Sequence, residues 1–447
     1  MSEIMDFHFR VNDKQEYHLD FLSKEKKNKQ NMHENIVAAP QLAEQGKQKI
    51  EWVKRYMPIL RQIENDFREQ QYFSGLRVLV CIHLEAKTAY LAQVFAAGGA
   101  EVAVTGSNPH STKDDVVAAL AEEGLHVYAR YGATPEEMQQ YMNLALDLRP
   151  NIVIDDGGDL VELLHNKRQE LLTEVWGACE ETTTGVHRAK ARAKADILEF
   201  PVILINDARC KYLFDNYHGT GQSVWDGVMR TTNLVISGKT VVIIGFGWCG
   251  KGCAERAKGL GANVIVCEVD PIKAADALMH GLRVMPLNEA VLQGDMILTV
   301  TGGKHVIRRE HYERMKDGVI LANAGHFKVE FDLQALQNIA VEQREMRHNI
   351  KGFRMADGRW LNLLGGGDLV NIACADGHPA EIMDTSFALQ ALSGKYVVQN
   401  RTALQKDVHR VPDEIDEEVA RLKLKGSGIS IDELLPEQKA YLENWEE

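Results

Sequence analysis

The 447-residue chain has no long hydrophobic run and no cluster of positive charge. No apolar stretch approaches the roughly 20 residues of a membrane-spanning helix, and the amino terminus lacks the apolar core of a signal peptide. Asp and Glu outnumber Lys and Arg by 64 to 51, which argues against a nucleic-acid backbone or an anionic membrane as the main partner. We therefore expect a soluble, cytoplasmic protein.

Cysteine and proline content exclude further classes. The seven cysteines are odd in number, scattered and free of any Cys-x-x-Cys spacing, so neither a disulfide framework nor a thiolate zinc site is indicated. No His-Glu-x-x-His or similar spacing is present, and we expect no metal. The 36 glycines outnumber the 11 prolines about threefold, and such an excess in an α/β chain is typical of turns that approach phosphate groups.

Apolar strands alternate with helical segments in two parts of the chain. LRVLVCI, AEVAVTG and PNIVIDD show this pattern after residue 75, and TVVIIG, NVIVC and DMILTVTG repeat it further on. Such βαβ units form parallel sheets covered by helices on both faces. We predict an α/β fold of two Rossmann-like, doubly wound parallel-sheet domains with a short helical C-terminal tail. The predicted boundaries are an extension at 1–35, a first domain at 36–221 completed by 377–400, a second domain at 222–376, and a tail at 401–447.

The second domain begins with a glycine pattern that is typical of dinucleotide binding. Gly245, Gly247 and Gly250 form Gly-x-Gly-x-x-Gly directly after a strand and at the start of a helix. They allow a tight turn, a close approach to a pyrophosphate and packing of the helix on the strand. Glu268, at the end of the next strand, can accept from a ribose 2′-OH and would repel a 2′-phosphate. The pattern favours NAD over NADP as cofactor; an ordinary glycine turn is the alternative.

Polar side chains collect at the predicted strand ends, where ligands of open parallel sheets bind. Three consecutive threonines beside Glu180 and Glu181 are expected to contact phosphate or ribose, although they are also common strand residues. Taken one at a time, the other polar residues have ordinary structural interpretations, but together they place a lysine, carboxylates and histidines beside one cofactor site. These residues are His83, Asp155, Asp156, Asp159, Glu181, Asn206, Lys211, Asp215, Asn216, His326, Asn371 and His378.

Several motifs occur here in the order and spacing of S-adenosylhomocysteine hydrolases. They are EETTTGVHR, the spaced Asn206-Asp207, Lys211 and Asp215-Asn216, GFGWCGKG followed by CEVDP, NAGHFKVE, and LVN-x4-DGHP. From about residue 40 to about residue 445 the chain resembles that family. The resemblance implies reversible hydrolysis of S-adenosyl-L-homocysteine to adenosine and L-homocysteine, with one NAD⁺ per subunit in a homotetramer or dimer.

The family's cycle uses NAD⁺ to oxidise the nucleoside 3′-OH to a ketone, which acidifies the neighbouring C4′–H. Homocysteine then leaves from C5′ by elimination, water adds, and NADH reduces the ketone again. A temporary ketone helps because a thioether is a poor leaving group and the carbanion needs a place to delocalise.

The resemblance also assigns roles to individual residues. Lys211, assisted by Asp215 and Asn216, would take the 3′-OH proton, which requires it to be partly neutral. Asp156 would act at C4′–H, and His83 would protonate the departing sulfur and activate water. A hinge between the two domains would close to keep water from the intermediate until it is needed.

The remaining assignments concern binding. Glu181 and Asn206 would hold ribose hydroxyls, Glu181 would also orient the lysine, and His326 and His378 would close over the nucleoside. Glu85, Lys87 and Thr88 would form the purine side. The cofactor residues would be Thr182, Thr183, Thr184, Gly245, Gly247, Gly250, Glu268, Lys273, Asn323 and Asn371.

The purine side departs from the usual family pattern. Members usually have a Thr two residues and a Glu or Gln four residues after the first catalytic His, where this chain has Glu85 and Lys87. Lys87 can only donate, so it suits a 6-oxo purine, and the segment resembles archaeal-type members that include S-inosyl-L-homocysteine hydrolases. Adenine stays an alternative if Glu85 is the acceptor, or if Lys87 pairs with Glu85.

Other departures concern the cofactor. The usual Lys- and Tyr-containing segment that reaches a neighbouring subunit's NAD is missing, so we expect looser NAD binding and a less secure tetramer. Lys273 stands where the family usually has Asn, and its positive charge is expected to weaken discrimination against NADP. The segment Gly365–Asp368 stands where the family usually has Ala-Glu-Gly-Arg, and its glycines are expected to loosen the loop. A silent NAD-binding regulator is a minor alternative, which the presence of His83, Asp156 and Lys211 disfavours.

Overall fold

The structure is a computed structural model that describes residues 33–445, so most of the predicted extension lies outside the described residues. Seven strands form the first sheet: β1 (Arg77–Ile82), β2 (Glu101–Gly106), β3 (His126–Tyr128), β4 (Ile152–Asp155), β5 (Gly177–Glu180), β6 (Val202–Leu204) and β15 (Val408–Arg410). Their order is β15-β6-β5-β4-β1-β2-β3, and every pair is parallel.

Eight strands form the second sheet: β7 (Thr240–Ile244), β8 (Asn263–Cys267), β9 (Arg283–Val284), β10 (Met296–Thr299), β11 (Val319–Asn323), β12 (Glu342–Arg347), β13 (Ile350–Arg354) and β14 (Trp360–Leu364). Their order is β12-β13-β14-β11-β10-β7-β8-β9. The pairs of β13 with β12 and β14 are antiparallel, so this edge differs from the predicted parallel sheet. The outer strand β12 is largely exposed and polar, which suits an edge.

Helices cover both faces of each sheet. The longer ones are Ala43–Arg55, Pro58–Gln70, Ala86–Ala97, Asp114–Glu122, Pro135–Leu146, Asp159–Asn166, Thr183–Lys194, Thr220–Thr232, Trp248–Gly259, Pro271–Met279, Leu333–Ile339, Ala380–Gln399, Asp413–Gly426 and Pro436–Glu443. Short helical turns are Pro40–Leu42, Gln169–Leu171, Ile205–Asp207, Arg209–Lys211, Leu287–Ala290, Arg309–Tyr312, Lys328–Glu330, Gly365–Gly367 and Val370–Ala373, and a π-helix runs over Tyr212–Gly219. None of the described helices is long and apolar enough to cross a membrane.

The alternation of strand side chains explains the two-sided packing. In β1, Val78 and Val80 contribute to one apolar cluster, and Leu79 and Cys81 contribute to another on the opposite face. Since successive strand residues point to opposite faces, a strand that is apolar throughout has to be covered twice. The α/β fold with two Rossmann-like sheets is therefore confirmed.

The C-terminal segment differs from the predicted helical tail in one respect. Its strand β15 pairs in parallel with β6 and extends the first sheet, before the helix Asp413–Gly426. Three residues are too few to show a strand period, so the sequence pattern could not reveal this pairing.

Candidate functional site

A cavity of about 1370 Å³ lies between the carboxyl ends of the two sheets. Both domains contribute to its wall. Its polar and glycine lining includes Thr182, Thr183, Thr184, Asn206, Lys211, Asp215, Asn216, Gly245, Gly247, Glu268, Lys273, His326, Asn371 and His378. Most residues singled out from the sequence thus lie along one cavity, as expected when strand ends of parallel sheets meet.

The buried ammonium group of Lys211 is the centre of the first polar cluster. Its Nζ lies 3.1 Å from Asp215 Oδ1 and 3.4 Å from Glu181 Oε1, and it donates to Asn216 Oδ1 at 3.0 Å. Asn216 in turn donates to Asn206 Oδ1. The π-helix that follows Lys211 widens the turn, which brings side chains four and five residues apart beside the lysine; such insertions are frequent at functional sites.

The charges of this cluster correct one expectation. Burial lowers the pKa of Lys211, but the Asp215 and Glu181 carboxylates more than offset it, and the pKa lies above its ordinary value. Lys211 is therefore charged rather than partly neutral, because its neighbours are anions. Burial raises the pKa of Glu181 to about 7, although Lys211 opposes the shift. At neutral pH the proton between these two groups therefore stays on Lys211, and Glu181, 3.4 Å away, is a carboxylate whose raised pKa makes it a better proton acceptor than an ordinary one.

His378 lies beneath the lysine cluster. Its Nδ1 is 3.0 Å from Asp215 Oδ1, and its Nε2 contacts the Thr220 hydroxyl. Burial would raise the pKa of Asp215, but Lys211 and His378 hold it below its ordinary value. His378 thus anchors Asp215 as an anion, in addition to the expected position at the cavity wall.

A second cluster pairs a histidine with a carboxylate. His83 follows β1 and Asp156 follows β4, and their Nε2 and Oδ2 atoms are 3.6 Å apart. The Oδ1 atom of Asp156 is buried and has no hydrogen-bond partner within residues 33–445. His83 and Asp156 are not among the residues that line the cavity described above, but they adjoin it through His326, and this oxygen is an acceptor that the described protein leaves free.

The tautomer of His83 follows from its neighbours. The Ser111 hydroxyl donates to the Asn108 carbonyl at 2.8 Å, so it accepts from His83 Nδ1 at 2.8 Å. The proton then lies on Nδ1 and leaves a lone pair on Nε2. Burial also lowers the pKa of His83 below its ordinary value, so the ring is a neutral acceptor at neutral pH.

His326 brings the second domain against this pair. A Cβ on Gly157, whose φ is +99°, would approach His326 Nε2 to 2.7 Å, so glycine permits both the turn and the contact. The donor atoms of His83, Asp156 and His326 lie within 4.8 Å of one another, a spacing that could hold a metal ion.

Buried polar residues of one helix complete the lysine cluster, and sequence reasoning missed them. In Ala380–Gln399, Ser386 donates to Asp215 Oδ2 at 2.7 Å and Gln390 donates to Glu181 Oε2 at 2.6 Å. Their spacing of four residues places both on one helix face. The available signal was a set of polar residues at helical spacing, which includes Asp384 and Ser393, along a helix with many apolar residues.

Two further buried carboxylates support the loop that carries Asp156. Asp155 and Glu180 are paired in register across β4 and β5. Glu180 Oε1 accepts from the backbone of Gly157 and Thr182, and Asp155 accepts from the backbone of Asp156 and Val161. Burial raises the pKa of Asp155 to about 7 and that of Glu180 well above its ordinary value.

The glycines of the second domain form a cradle that fits a dinucleotide. Gly245 has a φ of +104°, and a Cβ on Gly250 would meet the Gly245 carbonyl oxygen at 2.0 Å. A Cβ on Gly247 would meet nothing within 4 Å, so its backbone faces open space. This is the geometry in which a helix N-terminus approaches a pyrophosphate.

The acidic residue of the cradle is also in place. Glu268 accepts from the Phe246 backbone with Oε2 and from the Val269 and Asp270 backbone with Oε1. Lys273 lies 3.6 Å from Asp270, so part of its charge is compensated close to the cradle. The Glu268 carboxylate thus remains the group that a 2′-phosphate of NADP would approach.

The two asparagines assigned to the cofactor behave differently. Asn371 is buried, donates to the Ser223 hydroxyl, and keeps an Oδ1 without a partner among the described residues, which suits an amide donor such as nicotinamide carboxamide. Asn323 is instead fully engaged in the following turn: it donates to the Gly325 and Gly367 carbonyls and accepts from the Gly325 backbone. Its side chain holds the turn that carries His326, so a role at the cofactor would be the positioning of this turn.

The threonines and the purine-side residues hold local structure as well. Thr182 caps the helix Thr183–Lys194, and the side chains of Thr183 and Thr184 line the cavity with it. Thr88 donates to the His83 carbonyl at 2.6 Å, which fixes the backbone of the histidine.

Lys87 has protein partners on two sides. Its Nζ is 2.8 Å from Glu85 Oε2 and donates to the Asp376 carbonyl at 3.1 Å. Since Asp376 belongs to the segment between the two sheets, this lysine connects the purine side of the first domain to that segment.

Comparisons with known proteins agree with this geometry. The profile of the S-adenosyl-L-homocysteine hydrolase NAD-binding domain matches residues 216–377, and that of S-adenosyl-L-homocysteine hydrolase matches residues 34–175. An adenosylhomocysteinase of Pyrococcus abyssi is 56% identical over 91% of this chain and 96% of its own length. An S-inosyl-L-homocysteine hydrolase of Methanocaldococcus jannaschii is 52% identical over 91% and 98%. The chain therefore belongs to the S-adenosyl-L-homocysteine hydrolase family, as an enzyme whose cofactor is NAD.

Proposed function

We propose that the protein catalyses the reversible hydrolysis of S-adenosyl-L-homocysteine to adenosine and L-homocysteine. One observation carries this proposal: Lys211, Asp215 and Asn216, which form a buried cluster with Glu181, line the same cavity as the dinucleotide cradle. A proton-accepting cluster beside a nicotinamide site is what oxidation of a ribose hydroxyl needs. When bound, NAD would supply a hydride acceptor for oxidation of the 3′ carbon and a hydride donor for its later reduction.

The first proton moves through Lys211. Because Lys211 is charged, it has to give up a proton before it can accept that of the 3′-OH, and Glu181 Oε1 at 3.4 Å is the receiving atom. Asp215 stays an anion between Lys211 and His378 and stabilises the lysine when the proton returns. The amide nitrogen of Asn206, next to Asn216, is placed to hold a ribose hydroxyl.

The second proton moves through Asp156 and His83. Asp156 Oδ1, which lacks a partner among residues 33–445, would take the C4′ proton, and Oδ2 lies 3.6 Å from the free Nε2 of His83. The neutral His83 would receive this proton and deliver it to the departing sulfur, after which it can accept one from water. His326 closes the cavity on this side and limits access of water to the intermediate.

The proton relay predicts a dependence of activity on pH. Glu181 has to be ionised to receive the lysine proton, and its pKa is about 7, so kcat/KM should fall about tenfold per pH unit as the pH drops below 7. In Glu181→Gln this limb should disappear together with most of the activity. Initial rates of thiol release, measured from about pH 5 to about pH 9, test this dependence. The same limb in Glu181→Gln would contradict the relay.

Contacts at the purine side support adenine as the base. Lys87 is held by Glu85 Oε2 and by the Asp376 carbonyl, so two of the three donors of its ammonium group are directed to protein acceptors. Both contacts of Glu85 use Oε2, and Oε1 remains to accept from a 6-amino group. Hypoxanthine, whose 6-oxo group would need a hydrogen-bond donor, is the second candidate. Relatives named adenosylhomocysteinase and relatives named S-inosyl-L-homocysteine hydrolase both share about half of their residues with this chain.

Variants at this pair should separate the two bases. In Glu85→Gln, the loss of the carboxylate frees Lys87 to donate to O6, so the ratio of kcat/KM for S-adenosyl- over S-inosylhomocysteine should fall at least about tenfold. Lys87→Gln is the matched variant, and its ratio should stay within about threefold of that of the wild type, because the acceptor remains. Paired rate measurements on both substrates test this. A wild type that prefers the inosyl compound would contradict the assignment.

We further propose that the enzyme is cytoplasmic and forms a homotetramer or dimer, with residues 36–221 and 377–400 binding substrate and residues 222–376 binding NAD. An exposed apolar strip beside the cradle supports assembly: Val269, Ile272, Leu278 and Met279 are each at least 61% exposed. Sedimentation velocity of the purified protein measures the assembly.

A further inference from the structure

The loop after β2 holds both members of the histidine–carboxylate pair. Ser107 donates to Asp156 Oδ2 at 2.8 Å, and Ser111 accepts from His83 at 2.8 Å. Asn108 closes the loop on itself, since its side chain accepts from the His110 backbone and its carbonyl from Ser111. Any displacement of this loop therefore moves both proton-transferring groups.

His110, between the two serines, crosses to the second domain. Its Nδ1 lies 2.7 Å from Asp368 Oδ2, and the side chain of Asp368 is only 13% exposed. The Tyr131 ring, 6.2 Å away, packs beside the imidazole on the first-domain side. The loop is thus connected across the cleft by one charged or polar contact.

Asp368 is itself held in a defined place. It follows Gly365, Gly366 and Gly367, which all have a positive φ, of 55°, 63° and 89°. The Gly367 carbonyl accepts from Asn323, and Asn323 also holds the turn before His326. Only glycines adopt three consecutive left-handed conformations readily, so the run sets the position of the carboxylate.

We infer that His110 and Asp368 are positioning residues that couple contact between the two domains to the orientation of His83 and Asp156. When the cleft closes, the His110–Asp368 contact fixes the loop Ser107–Ser111, and the two serines then fix the proton-transferring pair. Neither His110 nor Asp368 touches the reacting atoms. This inference rests on the proposed hydrolysis.

The pair should affect kcat more than KM. The proposed ribose-binding residues Asn206 and Glu181 lie on the first domain, and their side chains contact Asn216 and Gln390 rather than the loop. A single partly exposed polar contact supports a change of up to about fivefold, so kcat should fall about fivefold in His110→Ala and in Asp368→Asn, with KM within about twofold.

A double-mutant cycle tests the coupling. If the two residues act only through each other, the double variant should lose about fivefold, the same as either single variant. Hydrogen exchange provides a readout apart from activity: the backbone amides of residues 107–112 should exchange faster in both single variants. His33→Gln is the matched control, because the 3.0 Å contact of His33 with Asp147 does not involve the second domain.

Either of two results would overturn the coupling. One is a loss of kcat above about tenfold in the double variant, and the other is single variants with wild-type kcat and wild-type hydrogen exchange. A wild-type protein that releases no thiol would overturn the proposed function, and hydrogen exchange would then still report on the contact. Unchanged melting temperatures in all variants are expected, since a surface pair adds little to stability.

Discussion

Lys211→Ala is expected to lower thiol release from S-adenosylhomocysteine by at least about a thousandfold while NAD stays bound. The ammonium is the only described cation within reach of both Glu181 and Asn216, and its removal interrupts the path of the 3′-OH proton. The cofactor residues Gly245, Gly247 and Glu268 do not contact it. Thiol assays measure the rate, and extraction of denatured protein measures bound NAD. The absorbance of reduced nicotinamide should not rise when adenosine is added.

Loss of Lys211 also leaves two buried carboxylates without their cation, so a lower melting temperature is expected. Lys190→Ala is the control for a lysine of the same domain: its Nζ forms an exposed pair with Asp207 at 2.6 Å, and activity should stay within about twofold. A Lys211→Ala protein that is folded, binds NAD and still reduces it with adenosine would contradict the role of the lysine.

Asp156→Asn is expected to separate the two halves of the reaction. The substitution keeps the shape of the side chain and its contact with Ser107 but removes the charge that accepts the C4′ proton. Thiol release should fall by about a thousandfold. Oxidation of the 3′-OH depends on the Lys211 cluster, so the absorbance of reduced nicotinamide should still rise with adenosine and then persist.

The control for this variant is Asp196→Asn, an exposed carboxylate of the same domain. Its φ of +56° is one that asparagine adopts readily, so neither fold nor activity should change. If Asp156→Asn released thiol at more than about a tenth of the wild-type rate, another group would have to take the C4′ proton.

The fold could be predicted well because its signals are local. Strands such as β1 and β7 are apolar after their first residue, which indicates sheets covered on both faces. The glycine spacing specifies a turn that needs glycine at Gly245, because of its positive φ, and at Gly250, because of the close backbone. The antiparallel edge and β15 were not predicted, since pairing partners distant in sequence decide them.

The site could be predicted as a set of residues but not as a charge state. Strand ends and motif spacing singled out Lys211, which lines the cavity with the glycine cradle, and His83 and Asp156, which lie beside each other. Whether Lys211 is neutral depends on the distances to Glu181 and Asp215, which only the folded chain determines.

The residues that support the lysine cluster could not be predicted from the sequence either. Ser386 and Gln390 come from a helix more than 150 residues further along the chain, and no short motif connects them to Asp215 and Glu181. Asn323 shows the converse, because its position in a motif suggested a cofactor contact while its hydrogen bonds hold a turn.

Each proposed role of Lys211, Asp156 and His83 requires that the protein is a catalyst and not a silent NAD-binding protein. The most direct test is to incubate the purified, NAD-loaded protein with S-adenosyl-L-homocysteine and, separately, with S-inosyl-L-homocysteine while free thiol is followed. We expect homocysteine release from both to require Lys211 and the adenosyl compound to react faster. No thiol release from either substrate would contradict the account.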